Sequence, residues 1–245
     1  MKIKTNLHLH INDDPKDFIS YSFHEMIEEA VRLGFGAVAV TCHGFFAGKP
    51  EYEKYAAARN ILLISGIELA LNGPSQFIGR HVVVLNCGKD IEKIRTLDEL
   101  EEYKKNHPEI FILAPHPYYW HLLGKISLFE YLKKYIHLFD AIELSWFYSK
   151  WLNGANRRAD KIARKYKLPF IATSDTHFIN HLNFGYAVID AEEKTVAAVL
   201  KAIREKKFYN VTEPRKFWRE MVSDYIIKKV IFADGLMKLR KLNND

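Results

Sequence analysis

The 245-residue sequence contains two cysteines, too few for a disulfide framework. It has no apolar run near the ~20 residues that span a bilayer, and its first residues lack the apolar segment of a signal peptide. We therefore expect a cytoplasmic protein with no membrane partner. Glycine-rich phosphate loops, the Gly-x-Gly-x-x-Gly fingerprint and the Gly-x-Ser-x-Gly elbow are also missing. Their absence argues against NTPases, dinucleotide enzymes and serine hydrolases.

Basic residues exceed acidic ones, with 36 Lys and Arg against 30 Asp and Glu and a formal net charge of +6. This excess favours an anionic partner such as a phosphate ester, a nucleotide or a nucleic acid, although the basic residues are spread along the chain. Hydrophobic residues make up 48% of the sequence, which allows a sizeable core. At this length the chain can form one large α/β domain or two small ones.

Short apolar runs alternate with amphipathic segments along the chain, which predicts one α/β domain with a mostly parallel sheet. Ser22 and Glu25 have the spacing of a capping box, so the first helix should begin there and run to about Leu33. A last long amphipathic helix is predicted over residues 217–242. The predicted strands cover residues 2–10, 37–40, 61–64, 80–85, 110–114, 140–144, 168–173 and 186–189.

Two histidines lie two residues apart near the end of the first predicted strand, in Leu7-His8-Leu9-His10. Side chains two apart on a strand point to the same face, so His8 and His10 converge while the leucines turn into apolar packing. Two imidazoles held together by rigid backbone form half of a transition-metal site. For an isolated pair, ordinary surface or core histidines are the alternative, and the rest of the chain must decide.

Further polar side chains fall at or just after the predicted strands, where parallel α/β folds gather catalytic groups, with His81 as the exception. Glu68 lies between apolar residues, and a buried carboxylate needs a cation partner. Pro115 and Pro117 fix the backbone around His116. The candidate metal ligands are His8, His10, Asp17, His43, Glu68, His81, His116, Asp175 and His177.

Three aspartates, Asp13, Asp14 and Asp17, follow His10 in a polar loop within reach of the histidines. Aspartate is also an ordinary turn residue, so which of the three is a ligand stays open. Eight or nine ligands can hold two or three ions if one carboxylate bridges, because each ion takes three or four. The imidazole content selects Zn, Mn or Fe over Mg or Ca.

Three residues outside this set are candidates for substrate binding. Trp120 ends an aromatic run that follows His116, and plain packing is the alternative for it. Arg157 and Arg158 lie on the basic face of a predicted helix, where a solvated face is the alternative to phosphate contact.

Five motifs in order resemble the polymerase-and-histidinol-phosphatase (PHP) family: HLH at residues 8–10, TCHG at 41–44, GIE at 66–68, APHP at 114–117 and SDTH at 174–177. The resemblance implies a distorted (β/α)7 TIM-like barrel as a single domain over residues 1–245. The metal-site motifs would lie within residues 1–190, and C-terminal helices of residues 194–242, the last of them amphipathic, would pack on the barrel or on another subunit.

The family's trinuclear site can be carried over by the same resemblance. It implies a first ion on His8, His10, Glu68 and Asp175, a second on Glu68, His81 and His116, and a third on Asp17, His43 and His177.

Two departures from the family pattern matter. Residues 13–17 replace the usual Ser-Asp-Gly, which leaves the choice of Asp17 over its neighbours open, and Ser145 and Trp146 replace a frequent asparagine, although Asn156 matches a second one.

The resemblance favours a hydrolase acting on phosphoric ester bonds, in the form of a metal-dependent phosphatase for a small anionic phosphomonoester. Clustered divalent ions acidify water and neutralise phosphoryl oxygens, which suits that reaction. The alternatives are a nuclease acting on oligonucleotides and a non-catalytic barrel that binds nucleic acid or protein. A non-catalytic barrel predicts eroded ligands, whereas here the set is complete. Nothing in the sequence indicates the natural substrate or the oligomeric state.

Overall fold

The structure is a computed structural model that describes residues 1–75, 78–118 and 127–216. The predicted helix over residues 217–242 and Trp120 lie outside the described residues. No helix of the described part is long and apolar enough to cross a bilayer.

Nine strands form one sheet in the described part of the chain. Most match the predicted runs to within two or three residues, but the third is much longer than predicted and the ninth was not predicted. The strands are β1 (Lys2–Leu9), β2 (Ala37–Val40), β3 (Leu62–Ser75), β4 (Ile78–Leu85), β5 (Phe111–Ala114), β6 (Ala141–Ser145), β7 (Phe170–Thr173), β8 (Gly185–Asp190) and β9 (Phe208–Thr212).

Within the described ranges, six α-helices lie between the strands, and three short 3-10 helices cover Lys89–Lys93, Ile136–Leu138 and Ile179–His181. Ser22 and Glu25 form the predicted capping box at the start of the first helix, which satisfies backbone N–H groups that a helix leaves free. The helices are α1 (Phe23–Arg32), α2 (Pro50–Ala58), α3 (Leu97–Asn106), α4 (Phe129–Lys134), α5 (Gly154–Lys165) and α6 (Val196–Arg204).

The strand order is β7-β6-β5-β4-β3-β2-β1-β8-β9. The pairs β1–β2, β2–β3, β5–β6 and β6–β7 are parallel, whereas β4 runs antiparallel to both of its neighbours and β8 runs antiparallel to both β1 and β9. The sheet is therefore mixed rather than mostly parallel, and the reversed β4 is a distortion of the repeating (β/α) pattern.

The sheet curls into a nearly closed barrel, because β7 at one edge lies beside β1 and β9 near the other edge. The backbone N–H of His10 donates to the carbonyl of Thr176 at 3.2 Å, just beyond the ends of the two strands. On the other side, the Asn210 side chain of β9 bonds the N–H of Ala172 and the carbonyl of Phe170 in β7, both at 2.8 Å. The TIM-like barrel predicted from the motifs is confirmed.

Helix α6 covers one end of this barrel. Its residues Val199, Leu200 and Ile203 are buried in a cluster with strand residues such as Val83 and Phe111. Arg204, at the end of the helix, donates to the carbonyl of Ile110 and to Asp140, which precede β5 and β6. The opposite end, where the parallel strands finish, is left for the polar residues.

Candidate metal centre

The predicted ligands gather at the end of the barrel where the parallel strands finish. His8 lies in β1, Glu68 lies in β3, and the others from parallel strands lie in the segments that follow β1, β2, β5 and β7. His81 belongs to the same end although it stands near the beginning of its strand, because β4 is antiparallel and its start faces the ends of its neighbours. This reversal explains why His81 breaks the sequence rule that holds for the others.

Glu68 is the hub of the centre. Its side chain is 1% exposed, and ring nitrogens of five histidines surround the carboxylate. His81 Nδ1 and His116 Nε2 lie 2.7 and 3.3 Å from Oε1. The nitrogens nearest Oε2 are Nε2 of His43, His8 and His10, at 2.9, 3.4 and 3.5 Å.

The charge of Glu68 is maintained by this shell. Burial by itself would raise the pKa of its carboxyl, but the charges of His81, His43 and His8 outweigh burial and hold the pKa well below the usual value. Neither oxygen accepts a hydrogen bond of good geometry within the described residues. An ionised, buried carboxylate in that state is poorly satisfied by protein groups alone.

His8 and His10 converge as the two-residue spacing predicts. Their Nε2 atoms are 3.3 Å apart, and both approach Oδ1 of Asp175, at 3.6 Å from His8 and 3.3 Å from His10. Burial opposes protonation of His8, but Glu68 and Asp175 outweigh burial and raise its pKa well above the usual value. A metal ion bound between these groups would therefore displace a proton.

The three aspartates of the loop over residues 13–17 point in different directions and have different partners. Asp13 turns away from the histidines and bonds Lys49 Nζ at 2.6 Å and the Tyr52 hydroxyl at 2.9 Å. Asp17 turns inward, with Oδ2 2.8 Å from Nε2 of His177. Asp17 is thus placed as a ligand should be, and Asp13 is not.

Asp14 has a different position from both neighbours. Its Oδ2 lies 2.8 Å from Nδ1 of His10 and 2.9 Å from Nδ1 of His43, so one oxygen orients two rings. Its Oδ1 accepts the backbone N–H groups of Lys16 and Asp17 at 2.9 and 3.1 Å. Asp14 therefore orients the rings of His10 and His43 through the Nδ1 atoms that point away from Glu68. It also holds the loop that carries Asp17.

Within the described residues, three overlapping clusters of ligand atoms have a spacing that could hold an ion, and His10 and His43 each belong to two of them. One contains His8, His10 and Asp175, one contains His43, Glu68 and His81, and one contains His10, His43 and His177. The donor set of imidazoles and carboxylates suits divalent transition metals. The residues therefore fit a metal centre for two reasons: the ligand types suit such ions, and Glu68 is an ionised, buried carboxylate without a well-formed hydrogen bond within the described residues.

Backbone strain marks two of the predicted ligands. His116 and Asp175, each two residues beyond a strand, have φ values of 27° and 41°. Positive φ is uncommon for residues other than glycine, and it persists where surrounding structure imposes it. Both side chains are thus held toward Glu68 and His8 at a conformational cost.

Sequence reasoning missed two supporting residues. Glu143 is fully buried in β6, with Oε2 2.9 Å from Nδ1 of His8, so it orients the ring whose other nitrogen faces Glu68. Asn6 is buried two residues before His8 and donates to Ser174 Oγ at 2.6 Å and to the carbonyl of Gly185 at 3.1 Å. For Glu143, a carboxylate inside an otherwise apolar strand was the available signal.

A pocket opens beside the centre. It is lined by His116, Tyr118, Ser145 and Asn156, with Phe147, Tyr148 and Leu152 among its other walls. Asn156 Oδ1 accepts the backbone N–H of Ser145 at 3.1 Å, which ties α5 to the end of β6.

Arg157 and Arg158, the two arginines predicted to bind substrate, are exposed on α5. Within the described residues, neither of them contacts a predicted metal ligand. Arg158 does lie close enough to lower the pKa of Tyr118, a pocket residue whose pKa burial raises.

Comparisons with known proteins agree with this geometry. The PHP_C family model, described as PHP-associated, matches residues 153–208. The DNA polymerase III subunit alpha of Treponema pallidum (strain Nichols) is 31% identical over 211 residues, covering 80% of this chain and 16% of the subunit. The chain therefore spans less than a fifth of that relative's length.

Solved structures share the fold at low identity. A two-domain protein from Bacteroides vulgatus ATCC 8482, containing a predicted PHP-like metal-dependent phosphoesterase, has a TM-score of 0.64 and 16% identity over 93% of this chain and 70% of that chain. The lesion-specific endonuclease PfuEndoQ from Pyrococcus furiosus has a TM-score of 0.62 and 17% identity over 88% and 60%. An endonuclease Q complex with a 27-mer duplex carrying an abasic lesion at the active site has a TM-score of 0.60 and 17% identity over 84% and 57%.

The matched PHP-associated segment, the similarity to part of DNA polymerase III subunit alpha and the shared barrel show that the chain is similar to the PHP family and has the fold of PHP-like metal-dependent phosphoesterases.

Proposed function

We propose that this protein is a metal-dependent phosphoesterase that hydrolyses a phosphomonoester at a multinuclear metal site. The observation that carries the proposal is Glu68, a buried carboxylate ringed by nitrogens of five histidines. A carboxylate in that position can bridge two cations, and neither of its oxygens accepts a well-formed hydrogen bond within the described residues.

The site would hold three divalent ions in the arrangement that the family resemblance implies. The measured distances support Glu68 as the bridge and Asp17 as the aspartate of the loop. Zn, Mn and Fe suit this donor set. The ligand groups are His8, His10, Glu68 and Asp175 for the first ion, Glu68, His81 and His116 for the second, and Asp17, His43 and His177 for the third.

Bound divalent ions would supply Lewis acidity that neutralises phosphoryl oxygens and acidifies water. The chain contributes rigid placement of the donors. Asp14 and Glu143 fix the rings of His10, His43 and His8 through their Nδ1 atoms. The pocket beside His116 would receive the alcohol part of the substrate, and Arg158 near Tyr118 adds positive charge for the phosphate.

The test is metal content of the purified protein together with hydrolysis of an aryl phosphate after loading with Mn or Zn. We expect two to three ions per chain and activity that is lost on chelation and in His8→Ala. His107→Ala is the control, because His107 contacts Glu109 far from the centre. A protein that binds no ions and stays inactive with added metal would contradict the proposal and leave the non-catalytic barrel.

A nuclease is the second candidate, and a surface feature favours it. Trp151 is 86% exposed and lies next to Leu152, which lines the pocket beside His116. Exposed aromatic rings stack on nucleobases, and endonuclease Q shares the fold.

Parallel assays with an aryl phosphate, a bis-aryl phosphodiester, a single-stranded oligonucleotide and a duplex with an abasic site would separate the two functions. Cleavage of an oligonucleotide that falls several-fold in Trp151→Ala, with little change toward the aryl phosphate, supports the nuclease. Hydrolysis of the monoester alone rules it out.

A further inference from the structure

Lys16 brings a positive charge into the candidate metal centre. Its Nζ lies 3.1 Å from Nε2 of His81, and its side chain is partly buried between the loop and the site. Lys16 also precedes Asp17 directly in the loop, and the carboxylate of Asp17 lies 2.8 Å from Nε2 of His177. The ammonium therefore lies beside the predicted ligands rather than in open solvent.

The loop that carries Lys16 is built to hold it there. Asp14 Oδ1 accepts the backbone N–H of Lys16 at 2.9 Å, while Asp14 Oδ2 contacts His10 and His43. The loop is closed by the N–H of Asn12 donating to the carbonyl of Tyr21 at 3.0 Å. The backbone of Lys16 is thus anchored to the same histidines that form the centre.

The contact with His81 places Lys16 at the edge of the site. Nδ1 of His81 lies 2.7 Å from Glu68, so Nε2 is the ring nitrogen that faces Lys16. The Lys16 side chain can swing from this ring to an anion bound beside it, while Asp14 continues to hold the Lys16 backbone.

We propose that Lys16 contacts a phosphoryl oxygen of the substrate and so acts as a substrate-binding residue of this site. The proposal rests on the proposed function, since the oxygen belongs to the phosphoester. An ammonium on a flexible four-carbon stem is suited to follow a phosphate as a point charge. A hydrogen bond to a charged group contributes enough to change affinity about 10- to 100-fold.

The experiment compares wild type, Lys16→Met, Lys16→Arg and Lys49→Met, all loaded with Mn. Lys49 is the matched control because it bonds Asp13 and Tyr52 beside the same loop without touching a predicted ligand. The measurements are metal content, kcat and KM for an aryl phosphate, and the affinity for inorganic phosphate by calorimetry.

We expect Lys16→Met to keep its metal content, to lose about 10- to 100-fold in phosphate affinity and in kcat/KM, and to be partly rescued by arginine. Lys49→Met should stay near wild type. Unchanged phosphate affinity in Lys16→Met overturns the proposal, and so does a loss of activity that only follows a loss of metal. If wild type hydrolyses no phosphoester but its phosphate affinity depends on Lys16, the proposed function fails while the anion contact stands.

Discussion

Each end of the barrel holds a carboxylate, and the partners of the two carboxylates differ in kind. At the end covered by α6, Asp140 accepts from Lys104 Nζ and the Ile112 N–H at 2.8 Å and from Arg204 Nε at 3.0 Å. At the other end, Glu68 is surrounded by imidazoles and accepts no well-formed hydrogen bond within the described residues. Asp140 is satisfied by groups that keep their charge, whereas Glu68 is surrounded by groups that can exchange a proton for a metal ion.

This contrast indicates that the end of the barrel around Asp140 serves stability, whereas the end around Glu68 is the candidate functional site. Lysine and arginine stay protonated near neutral pH, so a carboxylate paired with them stabilises the fold without offering a site. Histidine can be neutral or charged and is a common metal ligand. The four following predictions test this difference. The partners of Asp140 keep their positive charge, whereas the histidines around Glu68 can exchange a proton for a metal ion.

The largest effect is expected from Glu68→Gln. An amide cannot bridge cations as a carboxylate does, so kcat/KM should fall at least about 1,000-fold, with loss of bound metal. The metal-free variant should unfold with a free energy within about 1 kcal/mol of that of metal-free wild type, because the surrounding imidazoles can lose their protons. Kinetics, metal analysis and urea unfolding check this. If Glu68→Gln keeps its bound metal and its activity, Glu68 is not the bridging ligand of the centre.

Metal removal should destabilise the protein by an amount set by metal affinity. Ions that bind only the folded state at 100 times their dissociation constant add about 2.7 kcal/mol. We expect chelation to lower the Tm of wild type and to leave the Tm of Glu68→Gln almost unchanged. Thermal unfolding with and without chelator measures both, and equal shifts in the two proteins would show that the ions bind elsewhere.

Asp14→Asn should weaken metal binding without removing a ligand. Partners that orient metal-binding histidines are worth about 10- to 100-fold in affinity, and Asp14 orients both His10 and His43. Asp13→Asn in the same loop is the control, since Asp13 bonds Lys49 and Tyr52 instead. Competition with a chelating dye reports the affinities. Equal losses in both variants would mean that only loop folding matters.

Asp140→Asn should give the opposite phenotype to Glu68→Gln. It leaves Lys104 and Arg204 without their carboxylate, and because both are partly exposed we expect a loss of about 2 kcal/mol in unfolding free energy. Metal content and activity at a temperature where the variant is folded should match wild type. A selective loss of activity would argue that the two ends of the barrel are coupled.

The sequence was informative where local rules decide the structure. The two-residue spacing brings His8 and His10 together, and the strand-end positions of His43, His116 and His177 follow from the βα pattern. His81 could not be placed by that rule, since nothing local announces that β4 runs antiparallel. The choice among Asp13, Asp14 and Asp17 also depends on tertiary partners, Lys49, His43 and His177, that lie far away in sequence.

Longer-range features were missed for the same reason. Strand β9 (Phe208–Thr212) is short, and its role in closing the barrel through Asn210 depends on β7 being beside it. Glu143 stands out as a carboxylate in an apolar strand, but its role is defined only by its contact with His8, which is distant in sequence. Both depend on contacts between distant segments, which periodicity does not encode.

The way β1 is paired has a consequence for the order of folding. On one side β1 pairs with β2, which follows it closely in the chain, but on the other it pairs with β8, where Lys2 faces Asp190. Closing so large a loop costs chain entropy, so that pairing should form late. His8 and His10 meet Asp175 and His177 only after this step. A partly folded chain therefore offers a weak site to metal, and full affinity arises when the barrel closes.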